Sequence, residues 1–213
     1  VDSHKPILQA LNNALTAAGL EPINNDDLSQ HIGPPLQVTL DHLLNERDED
    51  TALIPRLIET YRSEYRTISV TMAVAYPGIA DLLASLDTTV RLGVVTSKPI
   101  VFALPILETL GFSSIMEVIE GPDTTEIEPK TVTMTRAITQ LTRTAPLGDL
   151  TMVGDRRHDI EAGTAHGART IGVTWGFGTR HELISAGADL IVDDPAAITA
   201  PPGIAAPSQA AMT

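Results

Sequence analysis

The feature that most constrains the fold is a change of hydrophobic period at Tyr76-Pro77-Gly78. Before it apolar residues recur at helical spacing. After it, short β-branched runs alternate with helical stretches, as parallel βαβ units require. Upstream, Ile7, Leu8, Leu11, Leu15 and Ala18 share one helical face that ends at Gly19 and Pro22. A short segment from Asp26 to Ile32 stops at Gly33-Pro34-Pro35, and a third helix runs through Leu36, Leu40, Leu43 and Leu44. Leu53, Ile54, Leu57, Ile58, Tyr61 and Tyr65 form the apolar face of a fourth, from Thr51 to about Val70. Downstream, the pattern predicts strands over 90–95, 116–119, 150–153, 170–173 and 190–192. Helices are expected between them over 79–86, 100–110, 131–141, 159–166 and 182–186. The expected fold class is therefore α/β, a doubly wound parallel sheet with an N-terminal helical domain. The expected domains are a helical module over 1–75, a core over 76–199, and an Ala- and Pro-rich flexible tail over 200–213.

Charge narrows the choice of partners. Lys and Arg number 14 against 27 Asp and Glu, and a net charge of -13 repels phosphate backbones and anionic lipid alike. Neither nucleic acid nor a membrane is expected as a partner. A small anion can still bind where a metal ion or local donors override the long-range field. There is no cysteine, which removes disulfides, thiolate metal sites and cysteine nucleophiles and fits a reducing cytosol. Val1 to Leu8 does not read as a signal peptide, no run has the length of a membrane span, and a cytoplasmic location is expected.

In open parallel sheets ligands bind beyond the carboxyl ends of strands. Three positions there stand out. Val94-Val95-Thr96-Ser97-Lys98-Pro99 ends a strand in two hydroxyls just before a helix, a cradle for a phosphoryl group made of the Thr96 hydroxyl and helix-start N–H groups, or else a plain N-cap. Met152-Val153-Gly154-Asp155-Arg156-Arg157-His158-Asp159 turns at a glycine and brings two carboxylates to one side, Asp155 at the strand tip and Asp159 one helical turn later. Their mutual repulsion is relieved by a hard cation such as Mg²⁺. Lys130, set by Pro129 at a helix N-terminus where the macrodipole opposes it, gains from anionic neighbours. Trp175-Gly176-Phe177-Gly178 lacks the dinucleotide fingerprint and reads as a flexible rim loop.

In order, Thr96, Lys130 and Gly154-Asp155-Arg156-x-x-Asp159 resemble the second, third and fourth motifs of the haloacid dehalogenase-like hydrolases. The likeness extends through Tyr76-Pro77-Gly78-Ile79, Thr174-Trp175-Gly176-Phe177-Gly178 and Glu182-Leu183-x-x-Ala186-Gly187-Ala188-Asp189, and is greatest to the phosphoglycolate phosphatase and 5'-nucleotidase-like branch. It implies a Rossmann-like core, a helical cap over 1–75, and a phosphatase acting on a small phosphorylated metabolite. By the same resemblance Asp155 and Asp159 form the Mg²⁺ site, Thr96 and Ser97 bind substrate phosphate, and Lys130 offsets charge on phosphate and nucleophile. Gly154-Asp155 resembles the phosphatases rather than the phosphomutases or true dehalogenases.

Two departures qualify that expectation. Glu126-Ile127-Glu128-Pro129 is acidic for the neighbourhood of a phosphate site. Family members also open on a strand ending in D-x-D-G-T, which supplies the nucleophilic Asp and the acid–base Asp, and Val1 lies just past that point. The 213-residue chain is accordingly expected to lack turnover and, with a central strand missing, to be poorly stable or rearranged. Val1 fits a fragment, a processed product or a start placed inside the reading frame. The rival expectations are a 5'-nucleotidase-like phosphatase, a non-catalytic relative that binds phosphoesters or a protein, and a flavodoxin-like binding module in which Asp155 and Asp159 are structural.

Overall fold

The structure, a computed structural model, describes residues 1–24, 36–86, 90–123 and 128–199. Asp26 to Ile32, Gly33-Pro34-Pro35, Glu126-Ile127 and the tail 200–213 lie outside the described residues. The chain divides into two compact units, Val1–Val74 and Ala75–Thr213.

The first unit is helical. It contains α1 (His4–Ala17), α2 (Leu36–Glu46), a short 3-10 turn at Thr51–Leu53 and α3 (Ile54–Thr71). The i, i+4 spacing that identifies these helices also delivers their core: Leu11 and Leu15 of α1, Leu40 and Leu44 of α2 and Leu57 of α3 all lie in one buried cluster. Gly19, at φ +83, ends α1 and lets the Leu20 amide return to the Leu15 carbonyl at 2.9 Å. Beyond that turn the Asn12 side chain replaces a backbone partner for Ile23, accepting its N–H at 2.8 Å and donating to its C=O at 2.9 Å. The unit is closed where the Asp2 amide donates to the Val74 carbonyl at 2.8 Å.

The second unit is α/β. In order it has α4 (Ile79–Leu86), β1 (Gly93–Val95), α5 (Ile100–Thr109), β2 (Val118–Glu120), α6 (Lys130–Thr144), β3 (Thr151–Gly154), α7 (Arg157–Ala165), β4 (Arg169–Val173), α8 (Arg180–Ser185) and β5 (Leu190–Val192). Among the described residues every pairing between these strands is parallel, as the alternation of strand and helix requires. The parallel α/β architecture expected from the sequence is present, with the strands in two ladders, β1-β2 and β3-β4-β5. Among the described residues β1 and β3 are each paired on one side only. The two ladders meet through helix α6: Met134 shares an apolar cluster with Met152 of β3, and Val95 of β1 packs against the same cluster. The carboxyl ends of β1 and β3 carry Thr96 and Asp155.

The first strand is shorter than expected, beginning at Gly93 rather than Val90. Arg91 lies ahead of it and is used sideways. Its guanidinium donates to Glu117 Oε2 at 2.7 Å and Oε1 at 2.6 Å, and to the Leu141 carbonyl near the end of α6 at 2.6 Å. The Arg91 hydrogen bond, helped by the Thr144 hydroxyl, lowers the Glu117 carboxyl from 4.5 to about 2. A carboxylate depressed on folding stabilises fully above its unfolded pKa and loses that contribution as the pH falls through the folded value. The pair is about a third exposed, so screening limits it to less than about 1 kcal/mol. Glu117→Gln is expected to melt slightly below the parent at neutral pH, with the difference closing as pH falls from 4.5 towards about 2. A difference independent of pH in parallel melts would contradict this assignment.

Candidate active site

The turn after β3 is built around close approach. Gly154 closes the strand, and a Cβ placed there would lie 2.1 Å from Asp159 Cβ and 2.4 Å from its Oδ2, so only glycine fits. Its value is the missing side chain rather than an unusual dihedral, because Gly154 is not among the glycines at positive φ. This corrects the sequence expectation that glycine serves here to tighten the turn. Asp159, third residue of α7 and buried, accepts the Arg156 N–H on Oδ2 at 2.9 Å, half of a capping box. Its Oδ1 pairs with the Lys130 ammonium.

Lys130 opens α6, as its place after Pro129 predicts, and the adverse macrodipole is answered by Asp159. The pair joins the starts of α6 and α7. The acidic residues before Lys130 are also partly accounted for. Glu128 receives the Thr133 hydroxyl at 2.6 Å and Arg136 at 2.5 Å, and Arg136 also donates to Glu120 at 2.9 Å and to the Gly121 carbonyl at 3.1 Å. The Arg136 hydrogen bond first, then Thr133, holds the Glu128 carboxyl below its ordinary range. Glu128 is thus spent on its own helix.

At the tip of β1 the arrangement differs from the expected ring of amides. The Thr96 amide donates to the Glu120 carbonyl at 2.9 Å, the Lys98 amide to Thr96 Oγ1 at 3.0 Å, and the Ile100 amide to the Pro122 carbonyl at 3.1 Å. Those N–H groups are consumed by the loop itself. The Thr96 hydroxyl, whose own proton remains to be donated, and the exposed Ser97 lie beside them. Thr96 and Asp155 are related through the Val95 and Met152 packing on α6, whereas Lys130 and Asp159 are in direct contact.

The loop after β4 is the part that sequence reasoning missed. The Phe177 amide donates to Asp155 Oδ2 at 2.7 Å. A Cβ on Gly176 would lie 2.2 Å from that oxygen, and one on Gly178 would lie 1.8 Å from the Asp155 carbonyl oxygen. Trp175 packs on the Ile171, Val173 and Val192 cluster. The expected flexible rim loop is instead packed onto Asp155. From α8, Glu182 Oε1 accepts Arg156 Nε and the Arg157 amide, each at 2.9 Å. Burial disfavours the charged form of Glu182, but the Arg157 amide and the Arg156 guanidinium outweigh it and hold the carboxyl below its ordinary range. Two glycines spaced two apart after a strand were the available signal. A backbone donor leaves none.

Among the described residues no third Asp, Glu, His or Cys joins these carboxylates in a metal-sized group. The carboxylates that could face a cation here are Asp155, with Oδ2 engaged by Phe177, and Asp159, already shared between Lys130 and Arg156. That small protein share is compatible with Mg²⁺, which keeps several waters and takes one or two carboxylates plus substrate phosphate. Among the described residues no helix is long and apolar enough to cross a membrane.

The haloacid dehalogenase-like hydrolase family matches residues 1–173. The chain is 38% identical to the tyrosine-protein kinase PtkA of Mycobacterium tuberculosis over 182 residues, 83% of this chain and 59% of that protein, so it spans under two thirds of that relative's length. It is 30% identical to a phosphoglycolate phosphatase of Agrobacterium fabrum over 93% of this chain and 86% of that one. A crystal structure of a predicted phosphatase from Clostridium acetobutylicum superposes with a TM-score of 0.76 at 29% identity, covering 91% of this chain and 88% of the other.

Proposed function

This chain belongs to the haloacid dehalogenase-like hydrolase family, and on that premise we propose that it is a Mg²⁺-dependent phosphomonoesterase for a small phosphorylated metabolite, with 2-phosphoglycolate the first candidate. The observation that carries the reading is the paired Lys130 and Asp159 at the Gly154-Asp155 turn. A cation charge and a carboxylate are held together at the end of a parallel strand, where a phosphoryl group needs both neutralisation and a metal.

In this reading Asp155 holds Mg²⁺, which when bound supplies positive charge to phosphoryl oxygens. Asp159 supports that site through Lys130 and through the Arg156 amide, and takes its share of the metal environment from there. Lys130 lies against Asp159 and offers its remaining protons to phosphate. Thr96 donates its hydroxyl proton to a phosphoryl oxygen while accepting from the Lys98 amide, and Ser97 lies beside it. The helical region over 1–75 is the part to which the family resemblance gives the choice of substrate.

The attacking carboxylate is the remaining requirement, since the described residues bring no third acid to the site. The assay therefore compares the 213-residue chain with a form carrying an in-frame D-x-D-G-T segment ahead of Val1. The longer form is expected to hydrolyse 2-phosphoglycolate only with Mg²⁺, and the shorter to bind Mg²⁺ without turnover. No hydrolysis of any phosphomonoester by the longer form would end the proposal. If that form binds Mg²⁺ and phosphate by calorimetry, the chain is instead a non-catalytic phosphoester-binding relative. A nucleoside monophosphate in the same panel tests the 5'-nucleotidase-like alternative.

The 38% identity to PtkA favours a second reading, in which the phosphoryl group is exchanged with a protein tyrosine. Preference for a phosphotyrosine peptide over every small metabolite would select it.

A further inference from the structure

We propose that residues 176–182 form a clamp that sets the orientation of the Asp155 carboxylate for a divalent cation, with Glu182 as its positioning residue. The inference rests on the reading of Asp155 as cation holder and adds to it the loop after β4 and the start of α8.

Three observations carry it. The Phe177 N–H fixes Oδ2 at 2.7 Å, while no hydrogen bond to Oδ1 is seen among the described residues, so one oxygen is held and the other left for a ligand. Gly176 and Gly178 press the loop so closely on Asp155 that no larger residue fits, which removes room for the carboxylate to turn. Glu182 then grips the next two residues through one oxygen, taking Arg156 Nε and the Arg157 amide. Glu182 is itself anchored: its amide donates to Thr179 Oγ1 at 3.1 Å, and its neighbour Leu183, 0% exposed, packs on Gly172 of β4. The load path runs from a buried strand to the turn that bears Asp155. Groups that orient a metal ligand in this way typically affect affinity by about 10-fold to 100-fold.

The test uses the 213-residue chain with Mg²⁺ alone as probe, read by calorimetry, together with hydrogen exchange of the Phe177 amide. Glu182→Ala is expected to weaken Mg²⁺ binding roughly 10-fold or more and to speed Phe177 exchange. Glu182→Gln, which keeps an oxygen for the Arg157 amide, is expected to recover most of both. Should Glu182→Ala lose its cooperative melt, Glu182→Asp, one methylene too short, replaces it in the comparison. Parental Mg²⁺ affinity and parental exchange in the Ala or Asp variant would overturn the clamp and leave the role of Asp155 standing. A parent that takes up no Mg²⁺ would overturn the role of Asp155 and, with it, the clamp as a cation device.

Discussion

Lys130→Met is expected to destabilise this protein by about 3 to 5 kcal/mol, a drop of roughly 10 °C in melting temperature. The reason is the partner it leaves behind. The Lys130 and Asp159 side chains are 13% and 5% exposed, so removing the ammonium strands a carboxylate with little access to water. The Arg156 amide still reaches Oδ2, but a single N–H does not compensate a full charge. Asp159→Asn in the same background removes that charge while keeping the shape that packs on Gly154. The double variant is therefore expected to be more stable than the sum of the single effects implies, with a coupling of about 1 to 3 kcal/mol. Strict additivity in a denaturant-based cycle would show that the two groups do not depend on each other.

Asp155→Ala is expected to have the largest effect on chemistry. In the proposed metal role of Asp155, removing the carboxylate takes away a ligand of the cation, and the charge stabilisation a metal gives to phosphoryl oxygens amounts to several kcal/mol. A loss of about 4 kcal/mol corresponds to roughly 10³ in rate. In the form of the protein that turns over phosphomonoesters, kcat/KM should fall by at least that factor, and excess Mg²⁺ should not restore it. The fold should tolerate the change better than it tolerates Lys130→Met, since Asp155 is half-buried and loses only the Phe177 amide as a partner. Activity within tenfold of the parent would remove Asp155 from the metal site.

The differences between expectation and structure have specific causes. Period alone located α1, α3 and α6 to within a few residues, because burying one face of a helix leaves a record at every third or fourth position. Strand ends were less legible: β1 begins only at Gly93, with the Val90 amide turned back to the Leu86 carbonyl and the Arg91 side chain turned to Glu117 and the end of α6. A one-letter code carries no term for either contact. Gly154 was recognised as necessary and given the wrong reason, since a tight turn and a close side-chain approach both demand glycine.

The order of motifs, the parallel α/β character and the candidates Thr96, Lys130, Asp155 and Asp159 were all written in the chain, because each depends on residue type beside a local period. Tertiary structure decided which of them touch. It joined Lys130 to Asp159 across 29 positions, engaged the Thr96, Lys98 and Ile100 amides with neighbouring oxygens, and brought the backbone of Phe177 and the side chain of Glu182 onto the turn that bears Asp155. Those contacts come from main-chain donors and long-range packing, which every residue type can supply and which therefore leave little trace in sequence.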